Sequence, residues 1–315
     1  MRVLLCPASL KGVLPARAAA SALAEGFRSA GAATVELPVA DGGEGTADVL
    51  ELRLGGTWEV AAVSDALGRP RSARWLRLAD GRAVVEAAAA IGLPLLSAQE
   101  RDPLRASSRG FGELLLATLE AEPSGLLVGI GGVATVDGGA GLREVVDSLP
   151  VPTTVLCDVR TTLADAARVF GPQKGARPED LAALERRLSA LPELRPYAGL
   201  PGSGAAGGLG AALAALGAEL VPGAGAVLDL LAFDDELAGC DLVVTGEGQV
   251  DETTPAGKAP GEVARRATAA GARCVVFGGR VERDVEGAET VALSGDPDRA
   301  AEDLGELGRK LAAEE

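Results

Sequence analysis

A chain of 315 residues, 47% hydrophobic and 24% charged, carries enough apolar material for one large or two ordinary domains with a sizeable core. Its 30 Lys+Arg stand against 45 Asp+Glu, a formal net charge of −15, so its field repels nucleic-acid backbones and anionic membranes. Histidine is absent, which excludes Ser-His-Asp triads, Cys-His dyads, HExxH zinc helices and histidine general bases, and leaves carboxylates, Lys or Arg, hydroxyls, backbone amides and a bound cation or cofactor.

Short aliphatic runs alternate with longer Ala/Leu-rich stretches at helical spacing, the pattern of parallel α/β layers. Residues 2–6 predict a first buried strand, 15–30 a helix with Pro15 in its first turn and Gly31 at its stop, and 34–39 a second strand. ADGGEGTADVLELRLGG then resumes as loop and helix. Between 57 and 87, TWEVAAVS, ARWLRLA and RAVVEAA are closely spaced strands separated by the turn signals DALGRP and ADGR, an antiparallel meander and the best candidate for part of a second domain. Alternation returns with strands near 126–130, 153–157, 241–245, 273–277 and 289–293, and helices near 110–121, 178–191, 207–218, 261–270 and 297–313. The division expected is residues 1–52 and 245–315, with parts of 88–130, against residues 53–87 and 131–244.

The cysteines, Cys6, Cys157, Cys240 and Cys274, form no CxxC pair and read as small core residues of a reducing compartment. The N-terminal apolar stretch is too short for a signal peptide and no run reaches a membrane span of roughly 18 residues, which places the chain in the cytoplasm. Lysine is scarce: Lys11, Lys174, Lys258 and Lys310 are the only four. Arg cannot replace a compact ammonium at a crowded site, so the positions where lysine survives draw attention: Lys174 and Lys258 lie in glycine-rich loops, and Lys11 stands beside Gly12 in PASLKG.

Those loops are ADGGEGT (40–46), GIGGVATVDGGAG (129–141), FGPQKGA (170–176), PGSGAAGGLGA (201–211) and TGEGQVDETTPAGKAP (245–260). Where such a loop follows a strand or opens a helix, its amides and the helix dipole favour an anion, although a strand-to-helix turn also needs glycine for geometry alone. Asp41, Glu44, Asp137, Asp158, Glu247 and Asp251 sit at or just beyond the carboxyl ends of predicted strands, the edge where open α/β sheets bind ligands. Carboxylates gathered there need compensation, for which Mg²⁺ with Lys11, Lys174 or Lys258 is the natural completion; Glu44 or Asp137 could equally be helix caps. Phosphoryl transfer suits this inventory, because it asks for positioning, charge neutralisation and one carboxylate to accept a hydroxyl proton. No clean GxGxxG opens the first helix, which argues against a dehydrogenase, and no GxxxxGK[ST] is present, so a kinase of this sequence is not a P-loop one.

Together PASLKG, VADGGEGT, GIGGVATVDGGAG, CDV, VFGPQKGA, PGSGAAGGLGA, LGAEL and TGEGQVDETTPAGKAP resemble, in order and spacing, the type I glycerate kinases, bacterial enzymes that phosphorylate D-glycerate with ATP. The resemblance implies an α/β fold with a Rossmann-like parallel-sheet domain and a second, smaller α/β domain, the active site in the interdomain cleft, ATP and Mg²⁺ as cofactors, and 2-phosphoglycerate as product. The ligand-binding set it implies includes Ser9, Lys11, Asp41, Gly42, Gly43, Glu44, Thr46, Gly131, Gly132, Asp137, Gly138, Gly139, Asp158, Lys174, Gly207, Gly208, Glu247, Asp251 and Lys258. Beyond the resemblance, Lys11, Asp41, Asp251 and Lys258 are expected to be catalytic, Asp158 and Asp251 to bind metal, and the others to bind substrate or nucleotide. On this reading Lys11 and Lys258 neutralise the phosphates or the glycerate carboxylate, Asp41 or Asp251 serves as base or metal ligand, and the helix start at Gly207-Gly208 holds an anion. The expected partners are a small-molecule substrate and ATP, with no nucleic acid, no membrane and room for a homodimer.

Several positions depart from the family pattern. Ala8 stands for its Asp, Val133 and Val136 for its Ser and Asn, Thr161 for an Asn, Phe111 for a Thr and Thr253 for a Gln, and the segment between GGAG and the next strand is short. A lost buried hydrogen-bond partner costs about 1–3 kcal/mol. Two outcomes stand: a kinase of glycerate or a similar small hydroxy acid, or a weakened homologue that binds a nucleotide or metabolite without turnover.

Overall fold

A computed structural model of the protein describes residues 1–255 and 257–314. In chain order the elements are β1 (Arg2–Pro7), α1 (Ala16–Ser29), β2 (Ala33–Glu36), α2 (Thr46–Leu54), β3 (Gly56–Ser64), β4 (Pro70–Leu78), β5 (Ala83–Glu86), α3 (Ala87–Ile91), α4 (Arg109–Glu120), β6 (Leu126–Gly129), α5 (Ala140–Arg143) and β7 (Thr153–Cys157). They continue as α6 (Ala166–Phe170), α7 (Leu181–Ser189), α8 (Ala205–Ala215), β8 (Glu219–Pro222), α9 (Gly223–Leu230), α10 (Phe233–Leu237), β9 (Leu242–Val250), α11 (Ala259–Ala269), β10 (Arg273–Val281), β11 (Glu289–Ala292) and α12 (Ala300–Ala313). Among the described residues no helix is long and apolar enough to cross a membrane.

The chain forms two compact units, residues 1–41 with 224–315, and residues 42–223. In the first, a sheet of order β11-β10-β9-β1-β2 is parallel throughout. Counted within the unit this is the doubly wound order 2-1-3-4-5, whose switch point lies between β1 and β9. Val3, Leu5, Val244, Val275 and Phe277 point from the strands into a core closed by Leu23 and Phe27 of α1 and Leu304 and Leu307 of α12. These two helices touch at backbone distance: a Cβ on Gly26 would stand 2.2 Å from the carbonyl oxygen of Gly305.

The second unit has a sheet of order β3-β4-β5-β6-β7-β8. The expected meander, β3 to β5, is antiparallel, and β5 to β8 run parallel. Phe111, Leu114 and Leu115 of α4 cover one face together with Leu209 and Leu213 of α8.

The division differs from the expected one. Residues 42–52 and 88–130 belong with the meander, because α2 packs on β4 and β5 and β6 hydrogen-bonds between β5 and β7. Residues 224–244 belong with β1, where Arg266 of α11 binds Asp229 and Asp234. The unit expected to be smaller is the longer of the two. The strand expected at 241–245 also runs on to Val250 through the glycines taken as loop. Gly246 is there for interstrand fit, since a Cβ would meet the Phe277 carbonyl oxygen at 2.2 Å.

Candidate active site

In the first unit the carboxyl ends of β1 and β9 meet at the switch point. Ala8 N–H donates to the Gly246 carbonyl at 2.9 Å, tying the loop that carries Ser9 and Lys11 to the strand that carries Glu247. A Cβ on Gly248 would lie 3.7 Å from the Lys11 backbone nitrogen. Ser9 is half-buried and Lys11 is exposed.

Glu247, 9% exposed, accepts from Thr254 Oγ1 at 2.8 Å through Oε1 and meets Lys258 Nζ at 3.2 Å through Oε2. Lys258 Nζ also lies 3.6 Å from Asp251 Oδ1. Burial pushes the Glu247 carboxyl up, and the negative charge of Asp41 adds to this, against the opposing pull of Lys258. At Asp251 desolvation works in the same direction but loses: hydrogen bonds from Thr253 and the charge of Lys258 hold that carboxyl below its usual range. Asp251 is therefore a fixed anion and a poor proton acceptor. The loop is folded hard onto α11, where a Cβ on Gly261 would come within 2.1 Å of the Thr254 carbonyl oxygen. The expected catalytic residues Lys11, Asp41, Asp251 and Lys258 all belong to this unit.

In the second unit Gly42, Gly43, Thr46, Gly131 and Asp158 come together beyond the carboxyl ends of β5, β6 and β7. Thr46 Oγ1 donates to the Gly43 carbonyl at 2.7 Å and accepts from Gly42 N–H at 3.2 Å, which closes the loop into α2. A Cβ on Gly131 would lie 2.8 Å from Gly43 Cα and 3.0 Å from Asp158 Oδ2. Only glycine lets these loops pass one another. Glu44 is exposed at the loop tip. Gly132 is exposed too, and its carbonyl accepts from Leu93 N–H at 2.8 Å.

Lys174 is 3% exposed and donates to the Thr135 carbonyl at 2.7 Å. Desolvation lowers its ammonium to about 7, although the charges of Asp158 and Asp137 oppose this. Lys174 thus braces the glycine loop from behind.

Five expected ligand residues face inward. Asp137, 1% exposed, accepts from Ser108 N–H and Oγ, both at 2.8 Å, from Gly139 N–H at 3.1 Å and from Gly141 N–H at 3.2 Å. Its oxygens are occupied, and it pins its own loop to the start of α4. A Cβ on Gly138 would clash with Leu191, on Gly139 with Ala212, on Gly207 with the Thr135 carbonyl and on Gly208 with Gly138 Cα. These glycines allow the loop and α8 to interlock. The start of α8 is also no ordinary helix end, because Ala206, Gly207 and Gly208 take left-handed backbone angles.

Two residues were not singled out by sequence. Thr135 Oγ1 is buried and without a hydrogen-bond partner among the described residues. Glu86, the last residue of β5, accepts from Ala47 N–H in the first turn of α2 at 2.9 Å. Burial raises its carboxyl to about 7, against the Ala47 amide. Thr135 lies inside the glycine loop 129–141 but bears no charge to set it apart there, and only the predicted strand end in RAVVEAA marked the place of Glu86.

The departures from the family pattern sort by burial. Phe111 and Val136 are fully buried and Val133 is 2% exposed, all within apolar clusters where a polar side chain would need a partner. Thr253 bonds Asp251 through its N–H at 2.8 Å and its hydroxyl, and Thr161 uses its carbonyl to accept from Gly204 N–H at 2.9 Å. Ala8 remains as a side chain shortened next to the switch point.

Among the described residues no group of three or more His, Cys, Asp or Glu is arranged to hold a metal.

Comparison with known proteins agrees with the motifs. The sequence model of the Glycerate kinase family matches residues 3–148 and 146–295, two pieces meeting in the short segment after α5. The chain is 37% identical over 305 residues to Glycerate 2-kinase of Escherichia coli (strain K12), covering 82% of this chain and 80% of that protein. It is 37% identical over 329 residues to Glycerate kinase of Bacillus subtilis (strain 168), covering 90% and 86%. A crystal structure assigned to glycerate kinase 2 from Salmonella typhimurium LT2 superposes with a TM-score of 0.82 at 33% identity, covering 100% of this chain and 98% of that one. With the motifs, the two sheets and these matches in agreement, the chain belongs to the glycerate kinase family.

Proposed function

We propose that the protein transfers the γ-phosphoryl group of ATP to the 2-hydroxyl of D-glycerate, giving 2-phosphoglycerate and ADP. The observation that carries the reading is the ammonium of Lys258 held between Glu247 and Asp251 at the β1/β9 switch point, 3.2 and 3.6 Å from their oxygens. A lysine poised between carboxylates can exchange them for phosphate oxygens when a magnesium-bound nucleotide arrives. Lys11, on the neighbouring loop, is the second cation, and Asp41, Glu247 and Asp251 supply the anionic charge that Mg²⁺ would bind. When bound, the metal neutralises phosphate charge; orienting the nucleotide falls to the lysines and loop amides. In the second unit, the loops of Gly42, Gly43 and Gly131 with Asp158 are assigned to the hydroxy acid, and Lys174 holds them in shape. The name of the E. coli relative, Glycerate 2-kinase, supports the 2-position.

Ala8, Val133, Val136 and the shortened segment are the features that would favour binding without turnover, and Val133 and Val136 are core positions here, which favours an active kinase. The test is incubation with Mg-ATP and D-glycerate, following ADP release and the position of the new ester by phosphorus NMR. ADP in step with 2-phosphoglycerate is expected. No ADP above background with any of a panel of small hydroxy acids overturns the proposal, and ligand-induced thermal stabilisation without ADP would favour the binding reading.

A further inference from the structure

The edge strands of the two sheets are not alike. β2, β8 and β11 run for four residues each, whereas β3, at one edge of the second unit's sheet, runs for nine. It pairs with β4 without a bulge, from Gly56 opposite Leu78 to Ser64 opposite Pro70, and it contains neither lysine nor proline. Folded proteins ordinarily blunt so long an edge. Its outward side can be read from the ladder. Asp65 N–H bonds the Arg69 carbonyl across the hairpin at 2.8 Å, while Ser64 N–H turns away from β4 to Glu113 Oε2 of α4 at 2.7 Å. Alternate residues of an antiparallel pair point toward the partner and away from it, so Thr57, Glu59, Ala61 and Val63 bond β4, and Trp58, Val60 and Ala62 present their N–H and C=O groups along the open edge. Their side chains share the face opposite the buried Ala61 and Val63. Val60, 69% exposed, is the most exposed large apolar side chain among the described residues, Ala62 is exposed, and the Trp58 ring lies 3.9 Å under the Arg74 guanidinium, which Asp48 holds at 2.7 Å.

We propose that this edge is a dimer interface, in which β3 pairs antiparallel with β3 of a second copy about a two-fold axis at Val60 and joins two six-stranded sheets into one. The interface is independent of the phosphoryl-transfer reading. Charge and bonding select the register. An axis at Glu59 would set two carboxylates directly opposite one another, which destabilises a pair of strands. An axis at Ala61 would set Trp58 against Ser64, whose N–H already belongs to Glu113. The axis at Val60 places Trp58 opposite Ala62 of the second copy and Val60 opposite its own counterpart, so a large ring meets a small side chain and Glu59 stands opposite an alanine. The surroundings permit approach in a chain of net charge −15, because residues 56–78 carry four arginines against Glu59 and Asp65. On the other face Leu116 of α4, 41% exposed and one turn beyond Glu113, is left for the second copy to cover. The bonded pairs would exchange about six main-chain hydrogen bonds, which at one per 100–200 Å² correspond to an interface of about 600–1,200 Å², at the low end of specific ones. The dimer therefore depends on concentration.

The experiment is sedimentation velocity on the full chain from about 1 to 100 μM, the range in which an interface of this size equilibrates, with Val60→Lys, Val60→Cys and Glu59→Cys beside it. The unsubstituted protein should shift from monomer toward dimer across that range. Val60→Lys sets like charges opposite at the axis and should stay monomeric, with an unchanged melting temperature at the lowest concentration, because the position is exposed. Under mild oxidation Val60→Cys should form a reducible dimer, since directly opposed Cα atoms of a bonded pair stand about 5.5 Å apart, within disulfide reach. Glu59→Cys, staggered from its counterpart, should not, and neither should the unsubstituted chain, in which Cys6, Cys157 and Cys274 are buried and Cys240 is half-buried. A chain that stays monomeric throughout overturns the proposal, as does a Val60→Lys chain that dimerises like the unsubstituted one, or a disulfide that forms no faster through Val60→Cys than through Glu59→Cys. Should Val60→Lys melt lower even as a monomer, it has damaged the fold, and the two cysteine variants decide.

Discussion

At the residue scale, the ion pairs of Lys258 and the bonds of Asp137 make opposite predictions. Lys258→Met strips Glu247 of its counter-charge. Since both side chains keep some solvent contact, the stability loss should be about 1–2 kcal/mol, below the 3–5 typical of a sealed pair, while turnover falls at least about 10²-fold. Adding Glu247→Gln should restore the melting temperature and leave turnover low. Asp137→Asn places an amide among three N–H donors and a hydroxyl and should cost about 2–3 kcal/mol, read as a lower urea midpoint at unchanged slope, with the folded fraction retaining its KM values. A fall in substrate affinity without loss of stability would return Asp137 to the ligand set. The sequence made Lys258 legible because lysine is so rare in it, and made Asp137 a candidate because acids at strand ends look alike whether they face a ligand or the protein. Glu86 was hidden, since what distinguishes it is an amide from a helix that begins before the strand it ends.

At the element scale, α1 and α12 meet at backbone distance. Gly26→Ala forces a Cβ against the Gly305 carbonyl and should destabilise the protein by about 1–3 kcal/mol despite the better helix former. Gly305→Ala meets nothing nearer than 3.6 Å and should stabilise by about 0.5–1 kcal/mol. Paired chemical denaturation curves decide it; equal effects would mean that the two helices do not pack as described. Both helices are plain in the sequence from their periodicity, yet nothing in either says that it packs on the other. The same limit explains β9: TGEGQV reads as a loop by composition, but pairing with β10 through Gln249 and Arg280 keeps it extended. Where tertiary contact decides, local pattern is silent.

At the scale of the whole molecule, two buried groups of opposite charge type shape stability against pH. Glu86, raised to about 7, binds its proton more tightly when folded, so its contribution is full below the ordinary glutamate value and is lost as pH rises to about 7. Lys174, lowered to about 7, binds its proton less tightly when folded, so stability rises with pH from about 7 toward the ordinary lysine value. The melting temperature should therefore pass through a minimum near neutrality, with Glu86→Gln flattening the acid side and Lys174→Met the alkaline side. A monotonic profile in the unsubstituted protein would refute the pair. The parallel sheets and most strands were legible in the alternation of the sequence, whereas the division was not, because the second unit is inserted whole between β2 and α9. That insertion reaches back to how the molecule is made. β1 leaves the ribosome before the second unit, but the strand it must pair with at Leu242 is translated after that entire unit. For most of synthesis β1 offers an open edge to any neighbouring strand, so the nascent polypeptide is the form most vulnerable to edge-to-edge association and the one that most needs a chaperone.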